Sequence, residues 1–124
     1  MKILHVEDES DIRDLARLLV SMEPEFEYFE AQDGRAALEF TDADLPDVVL
    51  LDYMMPRLNG LEVLEAWRSS ERTKDILVIV VSAVPPAKLE PVKALGVFDI
   101  VPKPFDITGL MDTIRAAAGN AAAA

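Results

Sequence analysis

The sequence contains no cysteine, which excludes disulfide bonds, thiolate catalysis and cysteine-rich zinc sites. Positive charge is also scarce, because 12 lysines and arginines against 23 aspartates and glutamates leave a net charge of −11. Such a field repels phosphate backbones and anionic lipid head groups, so we expect no direct nucleic-acid partner and no membrane. The longest aliphatic run, Ile76–Val81, is far too short to span a bilayer. Since the N-terminus does not look like a signal peptide, these absences favour a cytoplasmic protein.

What the chain does contain is enough apolar sequence for one core. Apolar residues make up 51% of its 124 residues, and neither an internal repeat nor an interdomain linker interrupts it. We therefore predict a single domain over residues 1–118. Residues 119–124 lack apolar periodicity, and we interpret them as a C-terminal tail, a linker remnant or a cloning scar.

Five short apolar runs alternate with amphipathic stretches. These runs are continuous and mostly β-branched, which is typical of parallel strands that are covered on both faces. The predicted strands are Ile3–Val6, Phe26–Ala31, Val48–Leu51, Ile76–Val81 and Val97–Val101. Five β/α units in succession predict an α/β fold with a doubly wound parallel sheet, whose ligand site lies at the carboxyl ends of the strands.

The stretches between the runs have helical spacing, and good N-cap residues precede or open four of them: Ser10, Asp33, Asn59 and Asp106. The fourth helix is atypical, because prolines 85, 86 and 91 lie in its segment. A proline inside a helix costs about 3 kcal/mol. We therefore expect a short helix that starts near Pro86 and is disturbed or restarted at Pro91.

Polar side chains gather at the predicted strand ends. Glu7 and Asp8 follow the first strand, Asp52 the third, Ser82 the fourth and Lys103 the fifth. Neighbouring carboxylates repel one another unless a cation lies between them, and all-oxygen ligation favours Mg²⁺ over zinc. A carboxylate between a metal ion and an ammonium group is well placed to attack phosphorus. Each residue alone has an ordinary structural explanation, so the inference depends on their convergence.

Four motifs occur in a familiar order, and they cover the chain from Lys2 to about Ala117: ILHVEDE, LLDYMMPRLNG, VVSA and KPF. In this order they resemble two-component response-regulator receiver domains, the CheY-like family. The resemblance implies a flavodoxin-like (βα)5 fold with strand order 2-1-3-4-5. It also implies that Asp52 accepts a phosphoryl group from a histidine kinase or a histidine phosphotransfer protein. Phosphorylation would then switch binding to an unknown output partner.

The resemblance also assigns a metal site. Glu7, Asp8, the Asp52 carboxylate and the backbone carbonyl of Met54 would hold Mg²⁺, and Gly60 would shape the turn that follows the third strand. Glu7 stands where the family usually has an aspartate. Because the extra methylene alters its reach, we expect Glu7 to act through a metal-bound water.

The remaining implied roles concern the phosphoryl group. Ser82 would donate a hydrogen bond to a phosphoryl oxygen, and the small Ala83 would leave room for it. Lys103 would pair with Asp52 or its phosphoryl group, and the Lys103–Pro104 bond would be cis. Ser82 and Ile100 occupy the family's switch positions, but Ile100 replaces the usual aromatic residue. We therefore expect activation to rearrange residues 83–91 instead of rotating a ring.

Other functions remain as alternatives. An aspartyl-nucleophile phosphatase of the haloacid dehalogenase type needs a second acid two residues after the nucleophile, where this chain has Met54. A flavodoxin-like cofactor carrier needs a loop rich in serine, threonine and glycine after its first strand, where this chain has EDESD. A degenerate receiver used only for docking would not retain Asp52 and Lys103. We expect a phosphoacceptor and not an enzyme, working as a single-domain regulator. The alternative is a receiver cut from a longer regulator with an output domain.

Overall fold

A computed structural model describes residues 1–55, 58–103 and 107–123. Its strands form one five-stranded, fully parallel sheet in the order β2-β1-β3-β4-β5, which confirms the predicted fold. The strands are β1 Lys2–Val6, β2 Glu27–Ala31, β3 Val48–Asp52, β4 Leu77–Ser82 and β5 Asp99–Pro102. All of β3 is buried, as expected for a central strand with helices on both faces.

In the described part of the chain, five α-helices and one short 3₁₀ helix cover the two faces of the sheet. They are α1 Ser10–Ser21, α2 Gly34–Ala43, α3 Gly60–Arg68, the 3₁₀ helix Pro86–Lys88, α4 Glu90–Ala94 and α5 Ile107–Ala123. Two separate apolar cores result: one includes residues of α2, α3 and α4, and the other residues of α1 and α5. Within the described ranges, no helix is both long and apolar enough to cross a bilayer.

The helix starts follow the predicted caps in two of the three cases that the described residues include. The Asp33 carboxylate accepts the Ala36 N–H at 2.8 Å, and Asn59 forms a reciprocal capping box with Glu62. The prediction for Ser10 is wrong: Ser10 is the first helical residue, and Glu9 occupies the cap position without a side-chain cap bond. Asp106 and the Lys103–Pro104 bond lie outside the described residues.

The proline-rich segment behaves as its composition predicts. A 3₁₀ turn begins at Pro86, and α4 restarts at Glu90 with Pro91 in its first turn. There the ring removes only an N–H that a helix leaves unpaired in any case. The short helix is nevertheless attached to the core, because Leu89 and Val92 are buried.

Helix α5 extends farther than the sequence pattern indicates. It continues through residues 119–123, which we predicted as a tail, since alanine has the highest helix propensity and needs no apolar face. The domain boundary at residue 118 stays a prediction, as does the cytoplasmic location.

Gly60 lies where the chain leaves the sheet and returns as α3. A Cβ at this position would lie 2.8 Å from Tyr53 Cα and 2.9 Å from the Asp52 carbonyl oxygen, whereas one at Gly119 would meet nothing within 4 Å. We expect Gly60→Ala to lower the free energy of unfolding by about 1–3 kcal/mol because backbone must move. Gly119→Ala, the matched control, should raise it by up to ~1 kcal/mol. Urea denaturation measures both, and a Gly60→Ala protein as stable as the wild type would contradict the close approach.

Candidate functional site

The carboxyl ends of the strands bring the predicted site residues together. Asp52 is the last residue of β3 and only 2% exposed, and Glu7, one residue beyond β1, is 1% exposed. Lys103 Nζ lies 3.2 Å from Asp52 Oδ1 and 3.5 Å from Glu7 Oε1. A cluster of one ammonium group and two buried carboxylates therefore spans the ends of β1, β3 and β5. We call Glu7, Asp8, Asp52 and Lys103 the acidic pocket.

Backbone contacts hold Asp52 in place. The Met54 N–H donates to Asp52 Oδ1 at 3.2 Å, and the Tyr53 N–H donates to the Val81 carbonyl at 3.0 Å. The Gly60 N–H then donates to the Tyr53 carbonyl at 3.0 Å. The carboxylate consequently stands at the end of a rigid strand and not on a free loop.

Ser82 and Ala83 end the neighbouring strand. The buried Ser82 hydroxyl accepts the Val84 N–H at 2.9 Å, and the Lys103 N–H donates to the Ser82 carbonyl at 2.9 Å. The second bond holds the Lys103 backbone beside the end of β4, and β4 pairs directly with β3. Ala83 is exposed beside them. The serine and the lysine therefore lie at the same end of the sheet as Asp52.

The acidic pocket has the donors of a divalent cation site. Glu7, Asp8 and Asp52 each offer a carboxylate oxygen, and these atoms lie within 4.8 Å of one another. Burial, then the charge of Asp52 and a hydrogen bond to it, raise the pKa of Glu7 to about 7, although Lys103 opposes the shift. Crowded carboxylates of this kind fit a hard cation that takes oxygen ligands, as Mg²⁺ does.

Lys103 keeps its charge in this setting. Burial lowers the pKa of its ammonium group, but Asp52 and Glu7 raise it by more, so the pKa lies above its ordinary value. The lysine therefore supplies a permanent positive charge beside Asp52 at neutral pH.

Two other predicted positions lie less centrally. Ile100 pairs in register with Val80 and is a partly buried member of the apolar core, so it belongs to the sheet and not to the acidic pocket. The Met54 side chain is 61% exposed, whereas the Met55 side chain is buried. Reasoning from the sequence also missed Arg13, whose guanidinium contacts the backbone of Glu7.

Several known proteins are similar to this chain in sequence. Response regulator MprA from Mycolicibacterium vanbaalenii is 41% identical over 118 residues, which cover 94% of this chain and 49% of the relative. Transcriptional regulatory protein CpxR from Escherichia coli K12 is 38% identical over 117 residues, covering 93% and 48%. The chain thus spans about half the length of the curated relatives it matches.

Solved structures agree with the sequence relatives. The chemotaxis response regulator CheY4 of Vibrio cholerae superposes with a TM-score of 0.85 at 28% identity, covering 94% of this chain and 97% of that one. The receiver domain of Francisella response regulator 1452 gives a TM-score of 0.85 at 27% identity, covering 96% and 97%. The family described as response regulator receiver domain matches residues 3–115. The chain therefore belongs to the response-regulator receiver domains, the signalling modules of two-component systems.

Proposed function

We propose that Asp52 accepts a phosphoryl group from the phosphohistidine of a histidine kinase or histidine phosphotransfer protein, and that the phosphorylated domain binds an output partner. The observation that carries this proposal is the buried Asp52 carboxylate 3.2 Å from the Lys103 ammonium group. A charged carboxylate is costly to bury at the end of a strand, so a buried carboxylate paired with a lysine at this place favours a chemical role.

The bonds that form and break in the transfer belong to Asp52 and to the phosphohistidine donor. An oxygen of Asp52 attacks phosphorus, a P–O bond forms, and the P–N bond to the donor imidazole breaks. The electron pair of the P–N bond stays on the imidazole, which leaves as a neutral ring when its other nitrogen carries a proton. Lys103 and the Met54 N–H both contact Oδ1, and we therefore assign the attack to Oδ2. Lys103 keeps its protons and donates to the transferring phosphoryl oxygens.

Receiver domains bind Mg²⁺ in an acidic pocket, and the present residues fit that ion. Glu7, Asp8, Asp52 and the Met54 carbonyl would hold it, Glu7 through a bound water. When bound there, the ion adds positive charge beside the carboxylates and the phosphoryl oxygens. Lys103 already compensates part of the same charge, because it reaches both Asp52 and Glu7.

Ser82 and Ala83 receive roles that follow from their surroundings. Ser82 Oγ accepts the Val84 N–H, so its own proton remains available to donate to a phosphoryl oxygen. Ala83 is exposed, and its single methyl group leaves the approach to Asp52 open. We therefore assign Ser82 to phosphoryl recognition. Ser82 and Ile100 occupy the family's two switch positions, but Ile100 packs against the apolar core.

Phosphotransfer tests the proposal. Labelled phosphate from histidine kinases, and from a small-molecule phosphodonor, is offered to the wild type, to Asp52→Asn and to Asp42→Asn, which removes an exposed acid. The wild type and Asp42→Asn should take up label when Mg²⁺ is present and should take up none when a chelator removes the ion. Asp52→Asn should take up no label in either case. Equal labelling of Asp52→Asn, or no label on the wild type from any donor, would contradict the proposal.

Within residues 83–91, where we expect activation to act, we propose that the switch lies in residues 83–88. These residues are largely exposed, whereas the segment beyond them is held by buried Leu89 and by Arg68, which donates to the Leu95 and Gly96 carbonyls at 2.8 and 3.0 Å. Ile100, packed against the core, has no ring to rotate.

We expect beryllium fluoride, a phosphoryl mimic, to change amide hydrogen exchange in residues 83–88 and to leave residues 92–96 unchanged. The same measurement on Asp52→Asn controls for effects unrelated to the phosphorylation site. Unchanged exchange at 83–88 in a wild type that binds the mimic would be evidence against this switch.

A further inference from the structure

The backbone of Glu7 is fixed on both sides. Its N–H donates to the Ala31 carbonyl of β2 at 3.0 Å, and its carbonyl accepts from Arg13 Nη1 at 2.7 Å. The pairing of β1 with β3 ends at Val6, so Glu7 lies beyond the last strand register on that side. A buried carbonyl needs a donor, and at this position a side chain from α1 provides it.

Arg13 is itself held by residues of β2. Its side chain is only 16% exposed, and Nε lies 3.9 Å from Glu30 Oε1. The Arg13 carbonyl accepts the Tyr28 hydroxyl at 3.3 Å, and this hydroxyl also lies 2.9 Å from His5 Nδ1. The guanidinium thus reaches the Glu7 carbonyl from a turn of α1, and contacts with β1 and β2 hold this turn in position.

From these contacts we propose that Arg13 is a positioning residue for the acidic pocket: it holds the Glu7 backbone so that the carboxylates of Glu7 and Asp8 face Asp52. The inference rests on the proposed function, because it concerns the same Mg²⁺ site. It adds a residue that touches neither the ion nor the phosphoryl group. Outer partners of metal ligands commonly control affinity in this way, since they orient the ligands.

The charge of Arg13 and its hydrogen bond to Glu7 predict opposite effects on Mg²⁺ affinity. Arg13 is a cation near a site that binds a cation, so removing its charge should by electrostatics alone strengthen Mg²⁺ binding. Removing its hydrogen bond to Glu7 should weaken binding, because the ligands lose their fixed geometry. The direction of the change in affinity therefore separates the two roles.

The experiment measures Mg²⁺ affinity by calorimetry on the unphosphorylated protein. We expect Arg13→Gln to bind Mg²⁺ about tenfold more weakly than the wild type. The matched control is Arg17→Gln, which removes an arginine one turn along α1 that also pairs with Glu30, at 2.6 Å, and is 48% exposed. This control should bind Mg²⁺ as tightly as the wild type or slightly more tightly. An Arg13→Gln protein that binds as tightly as the wild type, or more tightly, would overturn the inference.

A second variant covers the case in which Arg13→Gln does not fold, which circular dichroism will show. Arg13→Lys keeps the charge, but its ammonium group is a compact donor on a different stem and cannot reproduce the fork of a guanidinium. We expect weaker Mg²⁺ binding here too, and wild-type affinity in Arg13→Lys would overturn the inference. Asp52-dependent labelling of the wild type reports separately on the proposed function, which stands if only the Arg13 variants behave unexpectedly. A wild type without Mg²⁺ affinity would refute the inference together with the metal assignment.

Discussion

A Lys103→Gln protein is expected to accept label at least about a hundredfold more slowly than the wild type, which is the usual cost of losing one donor to developing charge in a preorganised site. The ammonium group lies 3.2 Å from Asp52, and its pKa lies above the ordinary value because Asp52 and Glu7 outweigh the effect of burial. Glutamine removes the charge, and its shorter side chain withdraws the donor from Asp52. Initial rates with a small-molecule phosphodonor at saturating Mg²⁺ measure the effect without a kinase interface.

Mg²⁺ affinity distinguishes a lost charge from a damaged pocket. Because Lys103 competes with a cation for Asp52 and Glu7, we expect Lys103→Gln to bind Mg²⁺ at least as tightly as the wild type. This direction is opposite to the one expected for Arg13→Gln. Lys93→Gln is the control, since the exposed Lys93 side chain pairs with Glu90 on the surface of α4. A Lys103→Gln protein that accepts phosphate at the wild-type rate would show that the lysine plays no part in transfer.

Asp52→Asn is expected to be more stable than the wild type when a chelator is present, although it cannot be phosphorylated. In the wild type Asp52 is buried beside Glu7. After burial, the charge of Asp52 is the largest cause of the raised pKa of Glu7. Asparagine keeps the shape and removes one of the two like charges. We expect a gain of ~1 kcal/mol, or a few degrees in melting temperature, at pH 8. Asp42→Asn, at an exposed position, should change neither the free energy of unfolding nor the melting temperature.

The pH dependence has a definite sign. Glu7 titrates near 4.5 in an unfolded chain but at about 7 in the folded protein, so the folded state holds more protons between these values. The free energy of unfolding should therefore fall as pH rises from about 4.5 to about 7, and this contribution should level off above that range. In Asp52→Asn the fall should be smaller, because only burial remains to raise the pKa of Glu7. Urea denaturation at several pH values in chelator measures both slopes, and equal slopes would be evidence against the coupling of the two carboxylates.

The sequence predicted the position of a side chain only where that position depends on the periodicity of strands and helices. Apolar runs predicted the strands, and parallel strands bring their carboxyl ends to one edge, so Glu7, Asp52, Ser82 and Lys103 could be placed together from order alone. Caps depended on more than residue type. Ser10 is a good cap residue, yet α1 begins one residue earlier because the Glu9 carbonyl accepts the Arg13 N–H while the Glu9 N–H bonds the Glu7 carboxylate.

By itself the sequence determined the parallel α/β fold, the interrupted fourth helix and the edge of the sheet where the charged residues meet, because these depend on periodicity, on proline and on chain order. Only the tertiary structure decided that Met54 faces outward beside buried Met55 and that Arg13 takes the Glu7 carbonyl as its partner. A long side chain such as that of Arg13 has many possible acceptors when only the sequence is known. The packing of α1 against β2 selects one of them. The physical reason is that partner choice depends on distances between elements, which no local pattern encodes.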